Sequence, residues 1–133
     1  MKKWSGLGLL LMVLLFSCKE NKIDIYKKWQ LENILLSQNT PKETRDRFNA
    51  KLAETKDNTF LTYKKDSTYT LTTVDTTLNG KFILHKDNKN FTITDQNGII
   101  QDYKIIELTA TKYVYQTNDP NAEPVTFVFK KAN

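Results

Sequence analysis

From Thr59 to Lys131 the chain is a succession of short runs rich in Thr, Tyr, Phe, Ile and Val, separated by turn residues. This spacing constrains the fold more than any other feature, because strands of this length joined by hairpins form an antiparallel meander, sandwich or barrel. Tyr69 and Leu71 alternate with Thr68, Thr70 and Thr72, and Phe91 and Ile93 alternate with Thr92 and Thr94. A strand with one buried face reads this way. The turns fall at Lys65-Asp66-Ser67, Asn79-Gly80, Asp87-Asn88-Lys89-Asn90, Gln96-Asn97-Gly98, Thr109-Ala110 and Asn118 to Pro124. Each group is built from residues that tolerate or stabilise tight reversals.

An earlier run, Tyr26 to Leu36, has Trp29 and Leu31 alternating with Lys28, Gln30 and Glu32, and supplies one more strand. Eight strands are then expected, starting near residues 26, 59, 68, 81, 91, 99, 112 and 125. Closing them into an all-β, eight-stranded antiparallel up-and-down barrel removes the exposed edges of an open sheet, while a sandwich keeps the same alternation. Between the first and second strands, Thr40-Pro41-Lys42-Glu43 is a helix start, with Thr placed to cap, Pro at the first helical position and Glu43 completing a capping box. One α-helix is expected over about 41–56. Its apolar stripe is narrow, chiefly Phe48 and Leu52, so it covers a surface rather than forming a core, as a lid on the barrel end or docked on the outer wall.

The N-terminus has a different character. Lys2 and Lys3 precede the apolar run Leu7 to Phe16, and small Ser17 precedes Cys18, the only cysteine. This is the layout of a secretory signal peptide, and the apolar run is too short for the roughly 20 residues a membrane span requires. Leu15-Phe16-Ser17-Cys18 also resembles the bacterial lipobox. That resemblance implies removal of residues 1–17, acylation of Cys18, a tether over 18–24 and a folded domain over 25–133. The alternative is an ordinary cleaved signal followed by a free thiol. Several acyl chains hold a protein firmly where one holds only marginally, so the expected location is the bacterial outer membrane, periplasmic or surface-facing. Lys19-Glu20 resembles the export tag of surface lipoproteins in the Bacteroidetes.

Removing Met1 to Ser17 leaves 116 of 133 residues, the size of one domain with a modest core. Lys2 and Lys3 leave with the signal, so 18 basic residues face 15 acidic ones, a formal charge of +3. The basic residues occur singly and in pairs such as Lys27-Lys28, Lys64-Lys65 and Lys130-Lys131, without the stripe that nucleic-acid binding favours. No second cysteine exists for a disulfide, and the single histidine, His85, has no companion His or Cys with which to share a metal. No nucleophile elbow, phosphate loop or dinucleotide fingerprint is present. No catalytic residue, metal site or cofactor is therefore expected.

Lys28-Trp29-Gln30-Leu31, Phe60 to Tyr69, Asn79-Gly80-Lys81-Phe82, and Tyr103 to Thr109 before Tyr113-Val114-Tyr115 together resemble the lipocalin-like domains of small Bacteroidetes lipoproteins. The resemblance covers most of the mature chain. The glycine that usually stands two residues before the first-strand tryptophan is Lys27 here, and the inserted helix is similar only in placement to the lid of fatty-acid-binding proteins. The resemblance implies a barrel and a small apolar or amphipathic ligand in its mouth. Trp29, Tyr63, Tyr69, Phe82 and Tyr103 are the candidate lining, although an eight-stranded barrel can equally be filled by its own side chains. A solid barrel would instead serve as an interaction or inhibitor module, with Asn118 to Pro124 contacting another cell-envelope protein. Asp66-Ser67-Thr68 and Asp75-Thr76-Thr77 resemble the short O-glycosylation acceptor of the Bacteroidetes.

Overall fold

The computed structural model describes residues 24–133, so the expected signal peptide, Cys18 and most of the expected tether over 18–24 lie outside the described residues. Eight strands run in chain order around a closed barrel, each antiparallel to its neighbours. They are β1 (Lys28–Leu35), β2 (Phe60–Lys64), β3 (Thr68–Thr72), β4 (Thr77–Leu84), β5 (Asn90–Thr94), β6 (Ile100–Leu108), β7 (Lys112–Thr117) and β8 (Thr126–Lys131). The eighth closes on the first, with Leu31 opposite Phe129 and Ile34 opposite Phe127. The expected all-β up-and-down barrel is the observed fold, and its one helix, α1 (Lys42–Thr55), sits between β1 and β2 as expected.

Period-two alternation carries Trp29, Leu61, Tyr63, Tyr69, Phe82, Phe91, Tyr113 and Phe129 into the interior, where all are buried. Two register shifts adjust the phase. One lies between Leu31 and Asn33 against β8, the other between Ile105 and Glu107 against β7. Each inserts one residue, as a β-bulge does, so Ile34 and Leu108 return to the inward row on strands that would otherwise turn them out.

Two details differ from the sequence reading. Asn79-Gly80 is not a turn; β4 begins at Thr77 and both residues lie within it, Gly80 opposite Tyr69. A side-chain carbon on Gly80 would lie 2.5 Å from Cε1 of Tyr69 and against the Thr94 carbonyl. Glycine is needed there for the tyrosine ring to cross the backbone. The helix starts one residue later than Thr40-Pro41 places it, with Pro41 in the cap position and Lys42 the first helical residue, and no side chain caps it. The Arg45 amide donates to the Pro41 carbonyl, the Arg45 guanidinium to the carbonyls of Ser37, Gln38 and Thr40, and Glu43 pairs with Arg47 at 2.9 Å.

The two ends of the barrel are unlike. At the end where β1 begins, Ile25 is buried and its carbonyl accepts the Trp29 indole N–H at 3.0 Å. Tyr26 packs edge-on to Phe82, and the Ala132 amide donates to the Lys28 carbonyl. The incoming chain thus closes that end. The opposite end, the mouth, carries the helix connection and the loops after β3, β5 and β7. There α1 sets Leu52, buried, and Phe48, half-buried, against the interior cluster. A groove of about 480 Å³ remains between α1 and the end of β1. Among the described residues no helix is long and apolar enough to cross a membrane.

Candidate functional site

The lower half of the interior is solid. Trp29, Tyr113, Phe82 and Phe91 are its largest fully buried side chains. Tyr63 stacks on Phe82 with ring centroids 4.0 Å apart, and Trp29 and Tyr113 meet at 5.4 Å. Such aromatic contacts contribute beyond the area they bury. The Tyr63 and Tyr113 hydroxyls, carried into this apolar layer, bond to each other at 3.0 Å.

Above this layer, on the side of the mouth that α1 leaves uncovered, lies a cavity of about 230 Å³. Its walls come from β2, β3, β5, β6 and β7: Leu61 and Leu71 on one side, Ile93 and Ile99 on another, with Tyr63, Tyr69, Tyr103 and Tyr115 between. Asp95 and Gln101 supply its remaining polar groups. The Tyr103 hydroxyl donates to Gln101 Oε1 at 2.6 Å, and Asp95 Oδ1 accepts the amides of Asn97 and Ile99, which shapes the turn at the rim. Of the five residues singled out from sequence, Tyr63, Tyr69 and Tyr103 come together here. Trp29 and Phe82 do not; they belong to the packed layer beneath.

Burial pushes the Tyr63 and Tyr115 phenols well above their ordinary range, reinforced by neighbouring tyrosines, and raises Tyr103 as well. Tyr69 rises through burial first and the charge of Asp95 second. All four stay protonated at neutral pH. With Tyr103 donating to Gln101 and Tyr63 bonded to Tyr113, the cavity offers the Tyr69 and Tyr115 hydroxyls from an apolar wall, with one carboxylate at its rim. That chemistry suits a small neutral molecule with an acceptor group at one end and an apolar body. Tyr115 follows the inward phase of β7 and was readable in principle. Gln101 and Asp95 were not, since one is polar at an inward position and the other belongs to a turn.

Outside the barrel, His85 Nε2 lies 2.8 Å from Thr92 Oγ1, which donates to Asp102 Oδ1 at 2.7 Å. The hydroxyl proton is directed at the carboxylate, so the imidazole donates to the hydroxyl. A nucleophile and base need the reverse polarity. The trio ties β4, β5 and β6 together on an exposed face. Among the described residues no three His, Cys, Asp or Glu side chains are grouped to hold a metal.

No protein-family model matches the chain, and no curated protein matches it. Solved structures with a similar fold do exist. Among them is the crystal structure of a DUF4847 family protein from Bacteroides vulgatus, with a TM-score of 0.55 and 12% identity, covering 80% of this chain and 93% of that one. The likeness is one of fold.

Proposed function

We propose that this is a lipid-anchored, lipocalin-like barrel of the bacterial outer membrane, periplasmic or surface-facing, which binds a small amphipathic molecule at its mouth without catalysis. The observation that carries the reading is the cavity of about 230 Å³ above a packed aromatic layer, with the Tyr69 and Tyr115 hydroxyls in its wall kept neutral by burial. It falls below the roughly 300–1,000 Å³ of drug-sized sites, so the ligand is compact, not a long acyl chain threaded through the barrel. The lipobox-like Leu15-Phe16-Ser17-Cys18 supports the anchor. The chain joins the barrel at its closed end, so such an anchor leaves the mouth facing away from the bilayer.

Titration with a panel of short amphiphiles tests the binding. Saturable binding is expected, and Leu71→Trp, which fills the cavity, is expected to abolish it while the far-ultraviolet spectrum is retained. No saturable binding by any probe would defeat the reading. Palmitate labelling that survives Cys18→Ser would defeat the anchor.

A second reading has its own observation. Val74 and Ile100, on the loops and strand ends of the mouth, are 66% and 67% exposed, and Ile99 beside them is 57% exposed. An apolar rim suits contact with another envelope protein. Cross-linking in cells separates the two, because a stoichiometric protein partner lost on Ile100→Asp favours an interaction module.

A further inference from the structure

Lysine pairs scattered along the sequence converge in the fold. In an up-and-down barrel the start of β1, the loops after β2, β4 and β6, and the end of β8 share one end. Lys27-Lys28, Lys64-Lys65 and Lys130-Lys131 all fall there, on the adjacent strands β8, β1 and β2. Lys86 and Lys89 join them from the loop after β4, and Lys112 opens β7. Against these nine lysines the same end carries Asp24, Asp66, Asp87 and Glu107, a formal charge of +5. The mouth, counted as α1, its connections and the loops after β3, β5 and β7, carries five basic and eight acidic residues, a formal charge of −3.

The basic charge is not neutralised locally. Eight of the nine lysines are exposed, Lys27 being half-buried. Asp66 and Asp87 are occupied in their own turns, by Thr68 and by Lys89 and Asn90. The one ion pair among the described residues, Glu43 with Arg47, lies on α1. Lys112 stands directly opposite Lys130 across β7 and β8, a like-charge pairing that weakens a ladder. Edge protection does not explain these lysines, since a closed barrel has no edge.

We propose that the closed, basic end is a docking face for an anionic lipid surface, which orients the barrel mouth-outward. The occupant follows from the path of the chain and, in this one respect, rests on the anchor reading. The polypeptide leaves this end at Asp24, six residues after Cys18, and six extended residues reach only about 20 Å. A lipid on Cys18 therefore holds this face near the headgroups. Attraction to an anionic surface acts within about 8 Å at physiological salt and contributes roughly fivefold in partitioning for each lysine that reaches it. The acidic mouth is repelled by the same surface.

The test reconstitutes the natively processed protein with vesicles of phosphatidylcholine, alone or mixed with phosphatidylglycerol, and reads acetylation of each lysine by mass spectrometry. Lys64, Lys65, Lys130 and Lys131 are expected to react several-fold more slowly on the mixed vesicles, Lys42 and Lys51 at the same rate on both, and high salt should erase the difference. Replacing those four protected lysines by Glu should remove the salt-sensitive component of vesicle binding. Flotation with both vesicle types and equal acetylation overturns the docking face and leaves the anchor standing. Flotation with the anionic vesicles alone overturns the anchor and keeps the docking face, whereas flotation with neither overturns both. Stronger protection by dissolved DNA than by the mixed vesicles overturns the lipid surface in favour of a soluble polyanion.

Discussion

Tyr63→Phe removes one oxygen from the packed layer and leaves every ring in place, which makes its cost legible. Tyr63 and Tyr113 are 2% and 0% exposed, and the bond between their hydroxyls at 3.0 Å is the only one either makes. Deleting the Tyr63 hydroxyl leaves that of Tyr113 without its hydrogen-bond partner in the aromatic layer. An unsatisfied buried hydroxyl costs about 1–3 kcal/mol, whereas removing both partners of a buried pair is nearly neutral. The pair holds two protons and one mutual bond, so one proton is already unspent, and the lower half of that range applies. Tyr63→Phe and Tyr113→Phe are each expected to cost about 1–2 kcal/mol, and the double variant no more than either alone. The coupling is then about 1 kcal/mol or more, read from a double-mutant cycle by urea unfolding followed by circular dichroism. In a domain near 110 residues the single variants lower the melting temperature by roughly 4–8 °C per kcal/mol. Additive costs, with the double variant losing the sum, would show that the hydroxyls do not depend on each other and refute the account of the layer.

Three further outcomes follow from the structure. Gly80→Ala forces a carbon into the Tyr69 ring and the Thr94 carbonyl; it should cost about 1–3 kcal/mol and, by displacing a cavity-wall ring, weaken ligand binding, and unchanged urea midpoint and binding would refute the close approach. The folded-state phenols of Tyr63 and Tyr113 lie above the unfolded value, so the stability they report is fully present below about pH 10 and is lost above it; the urea midpoint should be flat to about pH 9 and then fall, more slowly in the double phenylalanine variant. Glu123 accepts from Ser37 and Asn39, which hold its carboxyl below its ordinary range and tie the loop after β7 to the helix connection. Glu123→Gln should speed amide exchange at residues 37–40 while leaving the strands unchanged, and unaltered exchange there would remove the tie.

Strand number and order were legible because alternation in this chain is unusually regular, with threonines marking the outer row of β3 and β5. The failures have local causes. Asn-Gly is the strongest short hairpin signal, yet Gly80 stands in β4 because a tyrosine ring on β3 crosses it. The bulges in β1 and β6 hid the inward phase of Ile34 and Leu108, since a bulge adds a residue without a sequence marker as plain as a turn. The capping box at Thr40 does not form because Pro41 takes the cap position, the Thr40 amide donates to the Ser37 carbonyl, and the Glu43 carboxylate pairs with Arg47. At the site, phase picks out the tyrosines but not their depth. Trp29 and Phe82 share the inward row with Tyr69 and Tyr103, and only height along the barrel separates plug from wall.

Height also connects the proposed ligand and the proposed surface. Alternate turns of an up-and-down barrel fall at opposite ends, so residues that look interspersed along the chain are sorted by the parity of the strand they follow. Here parity gathers lysines at the closed end and carboxylates at the mouth. The aromatic layer between them is continuous, with Phe91 meeting Tyr103 at 5.1 Å above and Phe82 at 5.4 Å below. A ligand at the mouth therefore does not reach the closed end, and docking there does not open a path through the interior. Deepening the cavity would require removing Tyr63 or Phe91, which costs several kcal/mol of packing, whereas the mouth loop after β3 carries Val74 and Asp75 at exposed positions where exchange costs little. On the proposed reading, selectivity is free to vary at the rim while the basic docking face stays constant.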